Sequence, residues 1–409
     1  MKKHHAGAIT RVRAAHLILV LALILSLATL MHFDPDGDRL AAPLLAIADG
    51  TNPLSVRNHP PTLRFQWTNL ELHSNLAKAL DAHQHECSVP VATHMFRSGK
   101  GQQVPLTINK ENRSQNIGLG SDLHVYGFFL LKAMKEGYRL RSTPNLHWAW
   151  WDQDQCTGTD SSSLLACYFP NAETSNCTDE RFNSSINFNS KSKQSCGPQH
   201  GLSTSEERMA VTEYLFSSVS PLVVEEAVHQ LTSVFPNGKV PANLITIHVR
   251  WGDKKWERDL VPIESFINAT KQIVKEKKIR VVNILLCTED ANAVDAFMEQ
   301  KPKEWNVYFD QFYTKMLPYR AKFYSSVRPN RPENTTYNDI GEISMGLLKG
   351  KGGLWTLGSL LVAMEANIFI LSTMSNWSRL MNELRKGILD PRCNNCTTMV
   401  DVTPDAREC

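Results

Sequence analysis

The sequence predicts an α/β protein with a doubly wound parallel sheet in its second half. Short apolar runs recur from Leu244 onward, stretches with apolar residues at helical spacing separate them, and the polar motifs directly follow the runs. Strands that alternate with helices are typical of parallel sheets. Ligands of such sheets bind at the carboxyl ends of the strands.

The predicted strands of this sheet are short, apolar and bounded by polar residues: Leu244–Val249, Val281–Cys287, Val307–Phe309 and Ile368–Leu371. Periodic apolar residues predict the helices around them: Pro262–Lys277, Ala291–Gln300, a helix that ends near Asn367, and Ser375–Arg385. In the first half, a glycine-containing turn leads into a predicted helix over Asp122–Lys135 and a strand near Tyr138–Leu140. The first half therefore also contains an α/β unit.

Length and composition indicate a folded protein of two lobes. The chain has 409 residues, which exceeds one ordinary domain. Its hydrophobic share of 42% and charged share of 21% are those of a globular protein. The net charge of +3 is small for this length, so no nucleic-acid partner is implied and any anion specificity comes from a local site.

The N-terminal segment has the pattern of a membrane anchor. Basic residues precede an apolar run from Leu17 to Met31, which is near the lower length limit for a spanning helix. The basic flank is expected to stay cytoplasmic. We therefore expect a cytoplasmic tail at 1–16, a signal-anchor helix at 17–33 and a short stem at 34–61, with the remaining chain in a lumen. A cleaved signal peptide is the alternative.

The nine cysteines all follow the apolar run, which is typical of a chain that folds in an oxidising compartment. Because nine is odd, one thiol is expected to remain outside the disulfides, and Cys287 is the candidate because it lies in an apolar predicted strand. Cys393 and Cys396 have a spacing found in zinc and redox sites, but no second such pair accompanies them. A local disulfide is expected there, and the other pairings stay open.

Residues 142–200 are rich in tryptophan, cysteine, serine and asparagine, and we expect a surface-exposed insertion stapled by disulfides. Asp152 and Asp154 form an Asp-x-Asp pair, a pattern that binds Mn²⁺ or Mg²⁺ in metal-dependent enzymes. Here the pair follows a tryptophan cluster rather than an apolar strand. Chance occurrence is the favoured interpretation, and no metal site is predicted.

Sequons for N-glycosylation, of the form Asn-x-Ser/Thr, occur along the whole chain after the apolar run. They begin at Asn112, Asn176, Asn183, Asn268, Asn334, Asn376 and Asn395. A single sequon is weak evidence, but their number in a chain with an anchor pattern indicates exposure to the secretory pathway.

The strongest chemical signal is His248-Val-Arg250-Trp-Gly-Asp253-Lys254, which directly follows a predicted strand. A guanidinium matches a phosphate bidentately and an ammonium adds a mobile point charge. Asp253 is placed to orient Arg250 through a hydrogen bond. A solvated, salt-bridged loop is the alternative, and the residues alone favour neither interpretation.

The stretch from His248 to Lys254, followed by Pro262-Ile-Glu264, resembles the donor-site motif of the α1,6-fucosyltransferases that act on the N-glycan core. This family is related to the Nod-factor and protein O-fucosyltransferases. Three further stretches resemble its motifs in the same order: Gly118-Leu-Gly120-Ser-Asp-Leu-His124, Leu286-Cys-Thr288-Glu289-Asp290, and Phe369–Ser375 followed by Arg379. Their ordered occurrence is more specific than any single motif.

The resemblance implies a two-lobe GT-B glycosyltransferase fold. Residues 62–240 would form the acceptor-side lobe with the cysteine-rich insertion, and 241–390 a Rossmann-like donor-binding lobe, with a cysteine-containing tail at 391–409. The implied reaction is inverting transfer of L-fucose from GDP-fucose to a glycan hydroxyl, without a metal or other cofactor. Positioned cations would then stabilise the charge that builds on the leaving GDP.

The family's donor-binding roles fall on residues near the diphosphate. By the resemblance, Arg250 would hold the β-phosphate and His248 would contact the nucleotide. Gly118 and Gly120 would let backbone amides approach the diphosphate, which suits residues without a Cβ. Ser375 would also contact the diphosphate.

The resemblance also implies a guanine contact and a catalytic base. Asp290 would fix the guanine or the loop that carries the basic motif. Glu257 lies shortly after Lys254, and the match to the family's base requires a one-residue gap. A carboxylate takes a hydroxyl proton if burial and a nearby cation poise it. Asp259 is the other candidate for the base.

The leading interpretation is a single-pass type II Golgi membrane glycoprotein with a luminal catalytic domain. Its acceptor, by resemblance, is the 6-hydroxyl of the core GlcNAc of N-glycans. Trp251 replaces the family's second arginine, so protein O-fucosylation or fucose transfer to another glycan is one alternative. A catalytically silent, lectin-like protein on the same fold is the other. Because Asn376 lies in the implied donor loop, we expect it to carry no glycan.

Overall fold

The computed structural model describes residues 61–94, 118–142, 148, 150–156, 163–173, 177, 182–188, 204–251, 259–309 and 351–403. These residues belong to one compact unit that begins at Pro60. No helix within these ranges has the length and apolar character needed to cross a bilayer. The predicted anchor at 17–33 lies outside the described residues.

The described helices are α1 (Asn75–His85), α2 (Leu119–Lys135), α3 (Gln153–Cys156), α4 (Pro170–Glu173), α5 (Ser205–Phe216), α6 (Pro221–Val234), α7 (Ile263–Glu276), α8 (Ala291–Gln300), α9 (Lys351–Ala363), α10 (Asn376–Leu384) and α11 (Asp390–Cys393). The described strands are β1 (Val91–His94), β2 (Arg139–Ser142), β3 (Phe182–Phe188), β4 (Leu244–His248), β5 (Asn283–Cys287), β6 (Asn306–Phe309), β7 (Ile368–Leu371) and β8 (Thr398–Asp401). A π-helical segment over Arg385–Leu389 joins α10 to α11.

The larger sheet has the strand order β6-β5-β4-β7-β8, and each neighbouring pair is parallel. The chain runs outward from central β4 through β5 to β6, then crosses to β7 and β8 on the other side. This confirms the predicted α/β class and the parallel sheet. The change of direction lies between β4 and β7, where such sheets bind ligands. Strand β8, in the predicted C-terminal tail, was not predicted.

The smaller sheet has the order β2-β1-β3, also parallel, and lies in the first half of the chain. Its strands β1 and β2 pair from Val91 with Arg139 to His94 with Ser142. The disulfide between Cys87 and Cys177 joins the segment before β1 to the cysteine-rich region.

The expectation that the cysteine-rich region is surface-exposed is wrong for its described part. Leu165, Tyr168 and Phe169 are fully buried. The ring of Phe169 lies 5.0 Å from that of Phe216 in an edge-on contact. Aromatic side chains of this size stabilise by leaving water, and the Cys156–Cys167 disulfide holds the segment against the core. The predicted stapling is thus confirmed, although the segment is buried.

One apolar core contains residues from both halves of the chain. It extends from Trp67 and Ala77 to Leu357 and Leu384. A second cluster fills the other face of the large sheet, where Phe266 of α7 and Phe297 of α8 are fully buried. The predicted division into two lobes near residue 240 stays a prediction.

The predicted cysteine chemistry is confirmed at two places. Cys393 and Cys396 form a local disulfide. Cys287 lies at the end of β5 and belongs to none of the disulfides in the described part of the chain.

Candidate functional site

The register of the large sheet brings three of the sequence motifs to one edge. His248 pairs with Cys287, and Ile247 pairs with Ile370. The residues that follow β4, β5 and β7 are therefore neighbours at the carboxyl end of the sheet. This is the edge at which the sequence predicted the donor site.

His248 ends β4 and is 5% exposed, and its Nδ1 lies 2.7 Å from the hydroxyl of Ser378 on α10. Ser378 is fully buried. Burial lowers the pKa of the His248 imidazole to about 3, an effect that the charge of Arg250 increases and that of Glu289 opposes. The ring is therefore neutral at any physiological pH.

Arg250 contacts the carboxylate of Glu289, which follows β5. Its Nη1 also donates to the carbonyl of Trp251 at 2.9 Å. The loop leaves the strand in a fixed direction because the Val249 amide donates to the Cys287 carbonyl at 2.9 Å. Sequence reasoning included Glu289 in a motif but assigned it no role, although its place directly after a predicted strand was a usable signal.

Asp290 caps the N-terminus of α8. Its Oδ1 accepts from the backbone amide and the side-chain amide of Asn292, each at 2.9 Å. The Thr288 hydroxyl accepts from the Asp290 amide at 3.2 Å. These bonds give Asp290 a local structural role, and its contact with a guanine stays a prediction.

Ser375 immediately precedes α10 and is 4% exposed, with no capping hydrogen bond from its hydroxyl to the helix. The next residue, Asn376, donates its amide to the Ser121 hydroxyl and accepts from Arg379. Arg379 also donates to the Thr373 carbonyl at 3.0 Å. The loop after β7 is thus fixed to α10 and to α2. Sequence reasoning assigned no role to Ser121, which lies in the glycine motif, or to Ser378, which lies in none of the motifs that resemble the family's.

The predicted glycine loop opens α2, with Gly118 as its N-cap. A Cβ on Gly120 would lie 3.1 Å from Cε3 of Trp377 and 3.3 Å from the carbonyl carbon of Asn376. A Cβ on Gly118 would meet nothing within 4 Å. Gly120 therefore permits the close approach of the two helix N-termini, whereas Gly118 lies in open space.

The remaining predicted catalytic residues, Asp253, Lys254 and Glu257, lie outside the described residues. Asp259, the alternative base, is exposed. Trp251, which the sequence resemblance aligns with an arginine, donates its indole N–H to the Val261 carbonyl at 2.9 Å and packs against the second core cluster.

The Asp-x-Asp pair has a local structural role. Oδ1 of Asp152 accepts from the amides of Asp154 and Gln155 and so caps the short helix α3. No group of three His, Cys, Asp or Glu side chains in the described ranges is placed to hold a metal ion. Metal independence of the reaction stays a prediction.

In comparisons with known proteins, the chain shows similarity to solved structures. No family profile and no curated protein matches the chain. POFUT1 in complex with GDP is similar at 10% identity and a TM-score of 0.30, over 73% of this chain and 95% of that one. POFUT1 in complex with GDP-fucose has 11% identity and a TM-score of 0.27, over 80% and 85% of the two chains. Likeness at these TM-scores establishes neither a shared fold nor a shared activity.

Proposed function

We propose that this chain transfers L-fucose from GDP-fucose to a glycan hydroxyl, with inversion at the sugar. The observation that carries the proposal is the meeting of a guanidinium, a neutral imidazole and two helix N-termini at the direction change between β4 and β7. Sheets of this kind bind ligands at that place. Guanidinium groups and helix N-termini both favour a diphosphate.

The chemistry assigned to these groups is stabilisation of the leaving GDP. Negative charge builds on the β-phosphate as its bond to fucose breaks, and a preorganised cation stabilises this charge in the transition state. Arg250 is partly exposed and anchored by Glu289, so it is available to an anion without a large rearrangement. The sequence resemblance adds Lys254 as a second cation, which would replace the divalent ion of other transferases.

The acceptor and the base are proposed from the sequence resemblance. The leading acceptor is the 6-hydroxyl of the core GlcNAc of N-glycans. Glu257, with Lys254 beside it, would take the hydroxyl proton, and Asp259 is the alternative. A serine or threonine hydroxyl of a protein is the competing acceptor.

We further propose that the protein works in the Golgi lumen, held by the N-terminal anchor. Three disulfides in the described part of the chain support an oxidising compartment.

The test is release of GDP from GDP-fucose by the full chain in detergent and EDTA, with and without a biantennary glycan that ends in GlcNAc. A second arm offers a protein acceptor. Arg250→Ala is compared with Lys135→Ala, which removes a cation that is 62% exposed on α2 and paired with Glu207 at 2.7 Å. We expect release that depends on an acceptor, survives EDTA, persists in Lys135→Ala and is lost in Arg250→Ala.

The outcomes separate the alternatives. Release of GDP with the protein acceptor alone would mean that the acceptor is a serine or threonine hydroxyl of a protein and not a glycan hydroxyl. GDP binding without release on any acceptor would indicate the silent protein. Loss of release in EDTA that Mn²⁺ restores would overturn metal independence.

A further inference from the structure

We infer that Ser378 is a positioning residue that sets His248 as its Nε2–H tautomer, a neutral hydrogen-bond donor to the diphosphate of the nucleotide. The inference rests on the proposed function for the identity of the ligand. It adds a residue that none of the sequence motifs marked as functional and a defined proton position on the ring.

The geometry isolates the pair from other partners. The Ser378 hydroxyl lies 2.7 Å from His248 Nδ1, and the serine is fully buried. Among the described residues, no other hydrogen-bond partner is found for this hydroxyl or for the second ring nitrogen of His248. A helical serine often donates to a carbonyl one turn earlier, but this one contacts the imidazole of another element.

The hydrogen-bond inventory then assigns the protons. A serine hydroxyl has one proton, and leaving a buried donor without an acceptor costs about 1–3 kcal/mol. If Nδ1 donated to Ser378, the hydroxyl proton would have no acceptor within the described surroundings. Ser378 therefore donates to Nδ1, and the single proton of the neutral ring lies on Nε2.

The charge state of the ring determines what Nε2 can do. Burial and the neighbouring Arg250 keep the pKa of His248 far below neutrality, so the ring carries no charge. A neutral ring with its proton on Nε2 donates one hydrogen bond from that atom and accepts none there. His248 thus contributes a donor to an anion, and it does not serve as the base for the acceptor hydroxyl.

The element that carries Ser378 links this tautomer to the rest of the site. Ser378 is on α10, whose first residue, Asn376, bonds to Ser121 of α2. A helix held at its N-terminus is a rigid support for a positioning hydroxyl.

The experiment measures GDP affinity by calorimetry on the full chain in detergent. Ser378→Ala is expected to weaken binding about 10-fold, because the ring loses its tautomer and orientation, whereas Ser378→Thr stays within about 3-fold of wild type. Thr246→Val is the matched control: it removes another fully buried hydroxyl bond, 2.8 Å to the Ala363 carbonyl, on the strand that carries His248.

A cycle with His248→Gln separates positioning from a purely structural role. Glutamine carries its own amide donor and needs no tautomer, so Ser378→Ala is expected to have little further effect in that background. The ratio of wild-type to His248→Gln affinity is also expected to stay constant between pH 5.5 and 8. A charged ring would make this ratio grow in acid.

The possible results test the role of Ser378 and the identity of the ligand separately. GDP binding that Ser378→Ala leaves unchanged, or that falls equally in both His248 backgrounds, overturns the role of Ser378 while the proposed function stands. If Ser378→Ala fails to fold, Ser378→Cys takes its place, and because a thiol is a weaker donor it must bind GDP more weakly than the wild type. Absence of GDP binding by the wild type overturns the proposed function and the ligand named here together.

Discussion

Arg250 and Glu289 form an ion pair across the carboxyl ends of β4 and β5. Their side chains are 21% and 31% exposed, so the pair adds little to stability. Its effect is to restrict the guanidinium, which is also bonded to the Trp251 carbonyl. A guanidinium with fewer accessible conformations loses less entropy when an anion binds.

The first prediction concerns this pair. We expect Glu289→Ala to lower kcat/KM for GDP-fucose about 10-fold, because Arg250 loses its anchor but keeps its charge. Arg250→Ala should lower it at least about 100-fold, and Arg250→Lys should lie between because it keeps the charge and loses the planar fork. Steady-state kinetics of the three variants checks this order of losses in kcat/KM. Equal losses in Glu289→Ala and Arg250→Ala would mean that Glu289 itself contacts the reacting groups.

Sequence reasoning predicted the elements whose pattern is local. The strands β4, β5 and β7 are mainly apolar runs in a buried parallel sheet, and such runs are visible in the sequence. Strand β8 was missed because Thr398–Asp401 is half-buried and lies at the edge of the sheet, so it has no such run. Its place is fixed by pairing with β7, which local sequence does not report.

The residues of the candidate site could likewise be predicted only where their positions follow from a local sequence pattern. His248 and Arg250 follow a recognisable strand, whereas Ser378 is 130 residues from its partner His248. The pairing of Asn376 with Ser121 spans 255 residues. Such contacts depend on how helices cross, which neither residue type nor spacing indicates.

The second prediction separates the two glycines of the glycine loop. Gly120→Ala should lower the free energy of unfolding by about 1–3 kcal/mol, because its Cβ would crowd Trp377 and the backbone of Asn376. Gly118→Ser should stay within about 0.5 kcal/mol, since the position is open and serine is a favourable N-cap. Urea unfolding measures the free energy of unfolding of both variants. A weakened GDP affinity in a stable Gly118→Ser would place the diphosphate at this helix end, and equal destabilisation would refute the close approach.

The third prediction is a pH dependence of stability from Glu365. Burial raises the pKa of this carboxyl to about 7, against the opposing effect of the Arg64 amide, which donates to both carboxylate oxygens at 3.0 Å, and of the Arg64 charge. Because the pKa of Glu365 is higher in the folded state than in the unfolded state, protonation of this carboxyl favours folding. Its contribution to the stability of the folded state is fully present below the unfolded-state pKa and is lost as the pH rises through about 7. Tm should therefore fall by a few degrees between pH 5 and 8.

The control for this dependence is a matched amide substitution. Glu365→Gln should flatten the difference in Tm between pH 5 and 8, because the amide does not titrate. Glu136→Gln, at the exposed position that directly follows α2, should leave the pH profile as in the wild type. Identical profiles for Glu365→Gln and the wild type would assign the dependence to another group.

The fourth prediction ranks the disulfides. Removing Cys87–Cys177, which spans 90 residues, should cost about 5 kcal/mol, and removing Cys156–Cys167, which spans 11, about 3 kcal/mol. The reason is that a longer closed loop restricts the unfolded chain more. Paired Cys→Ser variants in urea test the order, with the three-residue span of Cys393–Cys396 as the smallest expected loss. A reversed order would show that native contacts around each bridge outweigh loop closure.

The last prediction is that the sequon at Asn376 stays unmodified while that at Asn268 is used. The Asn376 amide donates to Ser121, its oxygen accepts from Arg379, and the sequon serine, Ser378, is buried against the imidazole. A glycan on this amide would break the contact between α2 and α10. Asn268, by contrast, is exposed on α7. After secretory expression, enzymatic deglycosylation in heavy-oxygen water followed by peptide mass spectrometry should label Asn268 and not Asn376. Label at Asn376 in protein that binds GDP would show that the two helix ends separate without loss of the site.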